Sequence, residues 1–286
     1  MKNLKKLSLL LLINFFLTVN IAKAEIKWHA PFSQTGTYQA VTKLVHQGLE
    51  EKGWKLDLRI TGNPKLGRDV LNETNEPFLL AWGTELISSK NDPHYIKPAN
   101  NESLVGMVHT TGVHLCTNKN ISQEDFINKK YKIGVVGLKP TLKFLDQWLA
   151  FTKNKHNVIS YRSSGDMLIG LNSGEIDLIF MSVGLDLHES GKVNCLYTSG
   201  RETVLGIPTI QSKFPEFKES QYNFGTYIIA KNFSKEDLEK LRNDLIQVKK
   251  NYLPFTTYMK KMHFTIAHDE ISTQLSQLKK IDDSLE

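Results

Sequence analysis

The sequence is short of the features that usually assign a chain to a chemistry. Cysteine is the scarcest: 286 residues hold two, Cys116 and Cys195. Neither has a second cysteine or a histidine at ligand spacing, so no zinc pattern is present. There is no G-x-S-x-G elbow and no H-E-x-x-H helix, which removes two common hydrolase signatures. His109 and His114 form a tight histidine pair in an apparently ordered stretch, and Gly112 between them argues against a helical metal-binding face. The run G-L-K-P-T at 137–141 looks superficially like a phosphate loop. It lacks the G-x-x-x-x-G-K-(S/T) spacing, so it gives no ground for nucleotide binding. Internal repeats and low-complexity linkers are also missing, and past residue 24 no apolar run is long enough to cross a bilayer.

What is present begins at the N-terminus. Lys2, Lys5 and Lys6 precede a nearly unbroken apolar run over 7–19, and Ala22 and Ala24 form an A-x-A site. This is the pattern of a signal peptide over residues 1–24, cleaved after Ala24; the run is short for a permanent anchor. No cysteine follows the site, so a lipid anchor is not expected. Removing Lys2, Lys5, Lys6 and Lys23 lowers the formal charge of +6 by four. The remainder has no basic stripe of the kind that binds nucleic acid. Roughly 260 residues are left, enough for one large domain or two modest ones. In an exported chain the two cysteines are expected to pair, the alternative being two buried thiols.

Strand-like and helix-like patterns alternate along the mature chain, as in α/β proteins. Strands are predicted at 26–30, 56–60 and 78–82, with helices at 38–52 and 67–72 between them, which makes a parallel β-α-β-α-β unit. An extended stretch follows at 104–117. Ser122 and Asp125 set up a capping pattern for a short helix. A second unit then has strands at 132–136, 158–161 and 176–180, with helices at 142–151 and 164–172, the latter capped by Ser164. A further strand is expected at 194–198, a proline-containing loop at 201–219 and a strand at 222–231. Ser234 opens a helix to about residue 250, and a last helix covers 272–281. Two similar units imply two lobes. Lobe one is read as 25–115 plus 228–286, and lobe two as 116–227. Ligands of open parallel sheets lie beyond the carboxyl ends of the strands, so the two sets of loops should face a shared cleft.

Several motifs, in order, resemble one family. P-F at 31–32 and Gly36 before a helix resemble its P-F-x-x-G-G-x-x-D loop. K-L-G-R-D at 65–69 stands at a usual helix start. L-N-S-G-E-I-D-L at 171–178 is similar to L-x-x-G-x-(V/I)-D-L, and G-K-V-N-C-L at 191–196 to G-K-L-R-A-L. Ile207-Pro208-Thr209 and Pro215-Glu216-Phe217 match its L-P-T turn and P-x-(F/Y) element. The chain thus resembles the extracytoplasmic solute receptors of tripartite tricarboxylate transporters, the Bug-type receptors, over nearly its whole mature length. The resemblance implies a type II periplasmic-binding-protein fold in two lobes, no cofactor and no catalysis. It also implies delivery of a small organic acid to the membrane permease subunits of such a transporter. The chain departs from the pattern at Thr35, where a second glycine is usual, and at Gln39, where an acid is common. An amino-acid ligand is therefore less favoured. A receptor for a membrane signalling partner is the alternative reading, and a periplasmic enzyme a more distant one.

The predicted binding set comes from the loops that follow strands. Ser33, Gln34, Thr35, Gly36 and Thr37 supply hydroxyls, an amide and free N–H groups at a helix N-terminus, where partial positive charge suits an anion. Across the cleft, Gly137, Lys139 and Thr141 open another helix. Lys139 either meets a carboxylate or faces solvent. Trp82 either floors the pocket or enters the core, with Thr84 beside it. Ser182 follows the strand at 176–180 and completes the clamp. Asp177 is read as structural. A clamp whose lobes must close is expected to work as a monomer.

Overall fold

The computed structural model describes residues 25–31, 37–83, 103–136, 139–161, 163–182, 184–218 and 223–283. The predicted signal peptide lies outside these residues. The first unit forms as its periodicity demands: β1 (Ile26–Ala30), α1 (Thr37–Glu51), β2 (Leu56–Ile60), α2 (Pro64–Glu73) and β3 (Phe78–Gly83). Val41, Val45 and Leu49 line the buried face of α1 at four-residue spacing. Helix α2 starts three residues earlier than expected. Asn63 accepts a hydrogen bond from the Leu66 N–H at 3.2 Å, and Pro64 occupies the first turn, where its missing N–H costs nothing.

The extended run at 104–117 proves to be two strands in different sheets, β4 (Leu104–Gly112) and β5 (His114–Thr117), separated at Val113. The second unit follows as α3 (Gln123–Asn128), β6 (Lys132–Val136), α4 (Lys139–Phe151), β7 (Asn157–Tyr161), α5 (Ser164–Ser173) and β8 (Leu178–Met181). Ser122 and Asp125 close a reciprocal capping box on α3. Ser163, not Ser164, caps α5, because its hydroxyl is the one that reaches the Asp166 N–H. Asp177 precedes β8 instead of lying within a strand. It accepts from the Lys132 N–H at 2.9 Å and pairs with Lys119, a structural role. After α6 (Leu185–Glu189) and β9 (Asn194–Thr198) come α7 (Ile210–Lys213), β10 (Asn223–Lys231), α8 (Lys235–Asn251), α9 (Leu253–Lys261), β11 (Thr265–Ile266) and α10 (Ile271–Asp283).

The first sheet has the order β2-β1-β3-β10-β4-β11 and the second β7-β6-β8-β5-β9. Each opens with three parallel strands, and each adds an antiparallel strand beside the third, β10 next to β3 and β5 next to β8. The first sheet is covered on one face by α1, α8 and α9 through Val41, Leu245 and Phe255, among others. Its other face packs Leu80, Trp82 and Tyr227 against Leu278 of α10. In the second sheet Phe126, Trp148 and Phe180 fill one face, and Met167, Leu171 and Ile179 the other.

Cys116 and Cys195 are disulfide-bonded, as expected. They are register partners on β5 and β9, with Cα atoms 3.9 Å apart. The bond lies within the second sheet and joins residues 79 apart in sequence. In the chain-entropy view a loop of that length constrains the unfolded state by about 4 kcal/mol.

Where the chain passes between sheets, the two passing segments bind each other. The Val113 N–H donates to the Ser199 hydroxyl at 2.8 Å, and the Ser199 N–H donates to the Val113 carbonyl at 2.8 Å. Strand β10 pairs with β4 from Asn223 to Ile229, so all of it belongs to the first sheet. Sheet membership therefore changes at Val113 and again before Asn223, a few residues from the lobe bounds read at 115 and 227.

Candidate functional site at the lobe junction

The topology marks two equivalent places. From β1 the chain moves to β2 on one side and β3 on the other; from β6 it moves to β7 and then β8 in the same way. Connections leaving neighbouring strands diverge at such a switch point and leave a crevice beyond the carboxyl ends. The elements on either side of these two places are β1 and α1 in the first sheet and β6 and α4 in the second. Ser33, Gln34, Thr35, Gly36, Thr84 and Gly137 lie outside the described residues. Lys139 is the first residue of α4, and its side chain lies outside the description. Thr141, in the same first turn, is buried, and Ser182 is half-buried in the turn after β8. Trp82 is 2% exposed and packs in the first-sheet core on the face away from α1. Of the two readings offered for it, the structure gives the core.

Thr37 is the first residue of α1 and hydrogen-bonds to Tyr258 of α9. Burial lifts the Tyr258 phenol above its ordinary range; the negative charge of Asp186 adds to this and the Thr37 hydrogen bond opposes it. Tyr38, the next residue, packs against core side chains of both lobes. The start of α1 thus abuts the second lobe. On the other side of the junction, α6 meets the first lobe: Glu189 lies 3.1 Å from His263, just past α9.

Beneath Tyr38 lies a buried polar group without a partner. The His109 ring sits between Tyr38, at 5.8 Å between centroids, and Phe264, at 5.0 Å and stacked. Neither ring nitrogen makes a hydrogen bond, and neither does the hydroxyl of Thr226, its register partner on β10. Burial drives the His109 pKa down to about 3, so the ring is neutral near pH 7. His114, five residues on and also without partners, falls to about 3 as well, mainly by burial, with the charges of His188 and His263 adding to it. Among the described residues no group of three His, Cys, Asp or Glu is placed to hold a metal ion.

No family model matches the chain, and no curated protein does. Solved structures do. The periplasmic binding protein BugD superposes with a TM-score of 0.74 at 14% identity, over 91% of this chain and 95% of that one. MatC from Rhodopseudomonas palustris with bound malate gives 0.70 at 14% identity, over 92% and 99%. Another Rhodopseudomonas palustris protein, with adipate, gives 0.76 at 13% identity, over 93% and 96%. The chain has the fold of the Bug-type periplasmic binding proteins. At such identities the likeness is one of fold, and the fold expected from the motif resemblance is the one observed. Sequence reading placed the start of α1 within a residue of Thr37, but it began α4 at residue 142, three residues later than Lys139, because Pro140 in the first turn reads as loop and is in fact a permitted helix start. It missed Tyr38, Asp186, Tyr258 and His263, which reach the junction from separate elements and have no common local pattern.

Proposed function

We propose that the protein is a periplasmic solute-binding protein of the Bug type. In this reading it captures a small organic carboxylate between its two lobes and delivers it to the permease of a tripartite tricarboxylate-type transporter. It works as a monomer exported by a cleaved signal peptide, and it performs no chemistry on its ligand. The observation that carries the reading is the repeated switch point: in each sheet the strand at that point, β1 or β6, is followed by a helix, α1 or α4, that begins beyond its carboxyl end. Uncommitted N–H groups at such helix starts favour an anion. The malate in MatC and the adipate in the second Rhodopseudomonas palustris protein, both in the same fold, support a carboxylate. Proposed ligand contacts are Ser33, Gln34, Thr35, Gly36 and Thr37 from one lobe, with Gly137, Lys139, Thr141 and Ser182 from the other.

The test is a thermal-shift screen of the exported protein against mono-, di- and tricarboxylates, sugars and amino acids. A carboxylate at a hundred times its Kd should stabilise the fold by about 2.7 kcal/mol and be recovered chemically unchanged. Stabilisation by sugars alone, or recovery of a converted product, would overturn the proposal.

A further inference from the structure

We infer that Asp186 selects ligands that carry a hydrogen-bond donor on the carbon chain beside their carboxylate. This rests on the binding role proposed above and specifies its ligand class. Helix α6 begins just after the turn that leaves β8. Because β8 is parallel to β6, that turn emerges at the same edge of the second sheet as the proposed loop at 137–141. Asp186 is the second residue of the helix, and its Oδ1 atom is enclosed yet accepts no hydrogen bond.

The direction of this side chain follows from its neighbours. Glu189, three residues on and so on the same helical face, reaches His263 of the first lobe at 3.1 Å. Asp186 therefore also faces the first lobe. Its charge is felt by Tyr258, whose side chain is hydrogen-bonded to Thr37 at the very start of α1. The carboxylate thus looks toward the beginning of the helix that follows the proposed first-lobe loop.

The nearby charged groups are otherwise committed. His263 pairs with Glu189. His188 turns back to its own sheet, where its Nδ1 accepts from the Cys195 N–H at 3.2 Å. Among the described residues Asp186 forms no ion pair. An enclosed carboxylate oxygen without a donor is costly, and a ligand that supplies the donor recovers that cost on binding. An ammonium group supplies a hydrogen bond and offsets the charge; a hydroxyl supplies the hydrogen bond; a methylene supplies neither.

The experiment is isothermal titration calorimetry of the exported protein with matched sets that differ at one carbon. These are succinate, malate and aspartate, then glutarate, 2-hydroxyglutarate and glutamate. In at least one set the hydroxy or amino member should bind about tenfold or more tighter than the unsubstituted acid. Asp186→Ala, which removes the acceptor that Asn would keep, should bring that ratio to within about twofold without weakening the unsubstituted acid. A thermal melt checks that the variant folds, and Asp186→Leu takes its place if it does not. Equal affinity across both sets, preference for the unsubstituted acids, or ratios unchanged in the variant would overturn the inference while leaving carboxylate binding intact. If no carboxylate binds at all, the proposed function fails, and this inference fails with it.

Discussion

His263 and Glu189 make a 3.1 Å side-chain hydrogen bond that joins the two lobes on the side where α9 faces α6. The Glu189 side chain is 59% exposed, so water and salt screen the pair, and its share of global stability is about 0–1 kcal/mol. Its effect on lobe arrangement is separate, because it links α6 directly to the segment after α9. Glu189→Gln should leave the melting midpoint nearly unchanged and enlarge the radius of gyration measured by small-angle X-ray scattering without ligand. An identical radius in variant and wild type would show that the pair does not hold the lobes.

His109 and His114 make the fold sensitive to acid. In the unfolded chain each takes up a proton near pH 6.5; in the fold each resists protonation down to about 3. Between those values the unfolded state binds more protons, so stability falls as pH is lowered from 6.5 toward 3. Each group contributes at most about 1.4 kcal/mol per pH unit. His109→Phe should keep the stack on Phe264 and remove two orphaned nitrogens. Its urea midpoint at pH 7 should equal or exceed that of the wild type, and the slope of stability between pH 6 and 4 should be visibly shallower. A slope that does not change would assign the acid sensitivity to other groups.

Much of the fold could be read locally. The capping at Ser122 and Ser234, the apolar face of α1 and both β-α-β-α-β units depend on residues within a turn or two of one another. A crossing between lobes was legible near residues 112–118, but its exact place at Val113 was not, because residues on both sides of it, from Leu104 to Thr117, are almost all buried, and both sheets ask for the same apolar, extended sequence. Trp82 was ambiguous for a related reason: every residue of β3 is buried, so alternation cannot tell its two faces apart. Helix α9 was missed because it is short and carries Pro254 in its first turn, which looks like an interruption and is in fact a permitted start. The helix starts that carry the proposed contacts are local features of the sequence, with threonine and lysine in or beside their first turns. Asp186 and Tyr258 acquire meaning only when the lobes meet.

Gly112 ends β4 where the chain leaves the first sheet, and it is packed directly against Gly200 on the returning segment. A Cβ at Gly112 would lie 2.6 Å from the Gly200 nitrogen, 2.7 Å from the Thr198 hydroxyl and 2.9 Å from the Gly200 Cα. Two of these are backbone atoms, so no rotamer change relieves the clash. The segments are also tied by the hydrogen bonds between Val113 and Ser199, across 86 residues of sequence. Gly112→Ala must push the crossing strands apart and weaken those bonds, at about 1–3 kcal/mol. The matched control is Gly165→Ala, in the first turn of α5, where the nearest atom to an added Cβ is the Ser163 hydroxyl at 3.7 Å, an ordinary contact. That change should stabilise by about 0.4–1 kcal/mol by restricting the unfolded chain. Urea unfolding of the two variants should therefore move in opposite directions. Because the strained atoms lie at the crossing itself, Gly112→Ala should also raise hydrogen exchange at Val113 and Ser199 more than in the centres of β1 and β6. Equal midpoints for Gly112→Ala and the wild type would mean that the crossing segments can separate without cost, and that the close approach of Gly112 to Gly200 does not hold the lobe junction.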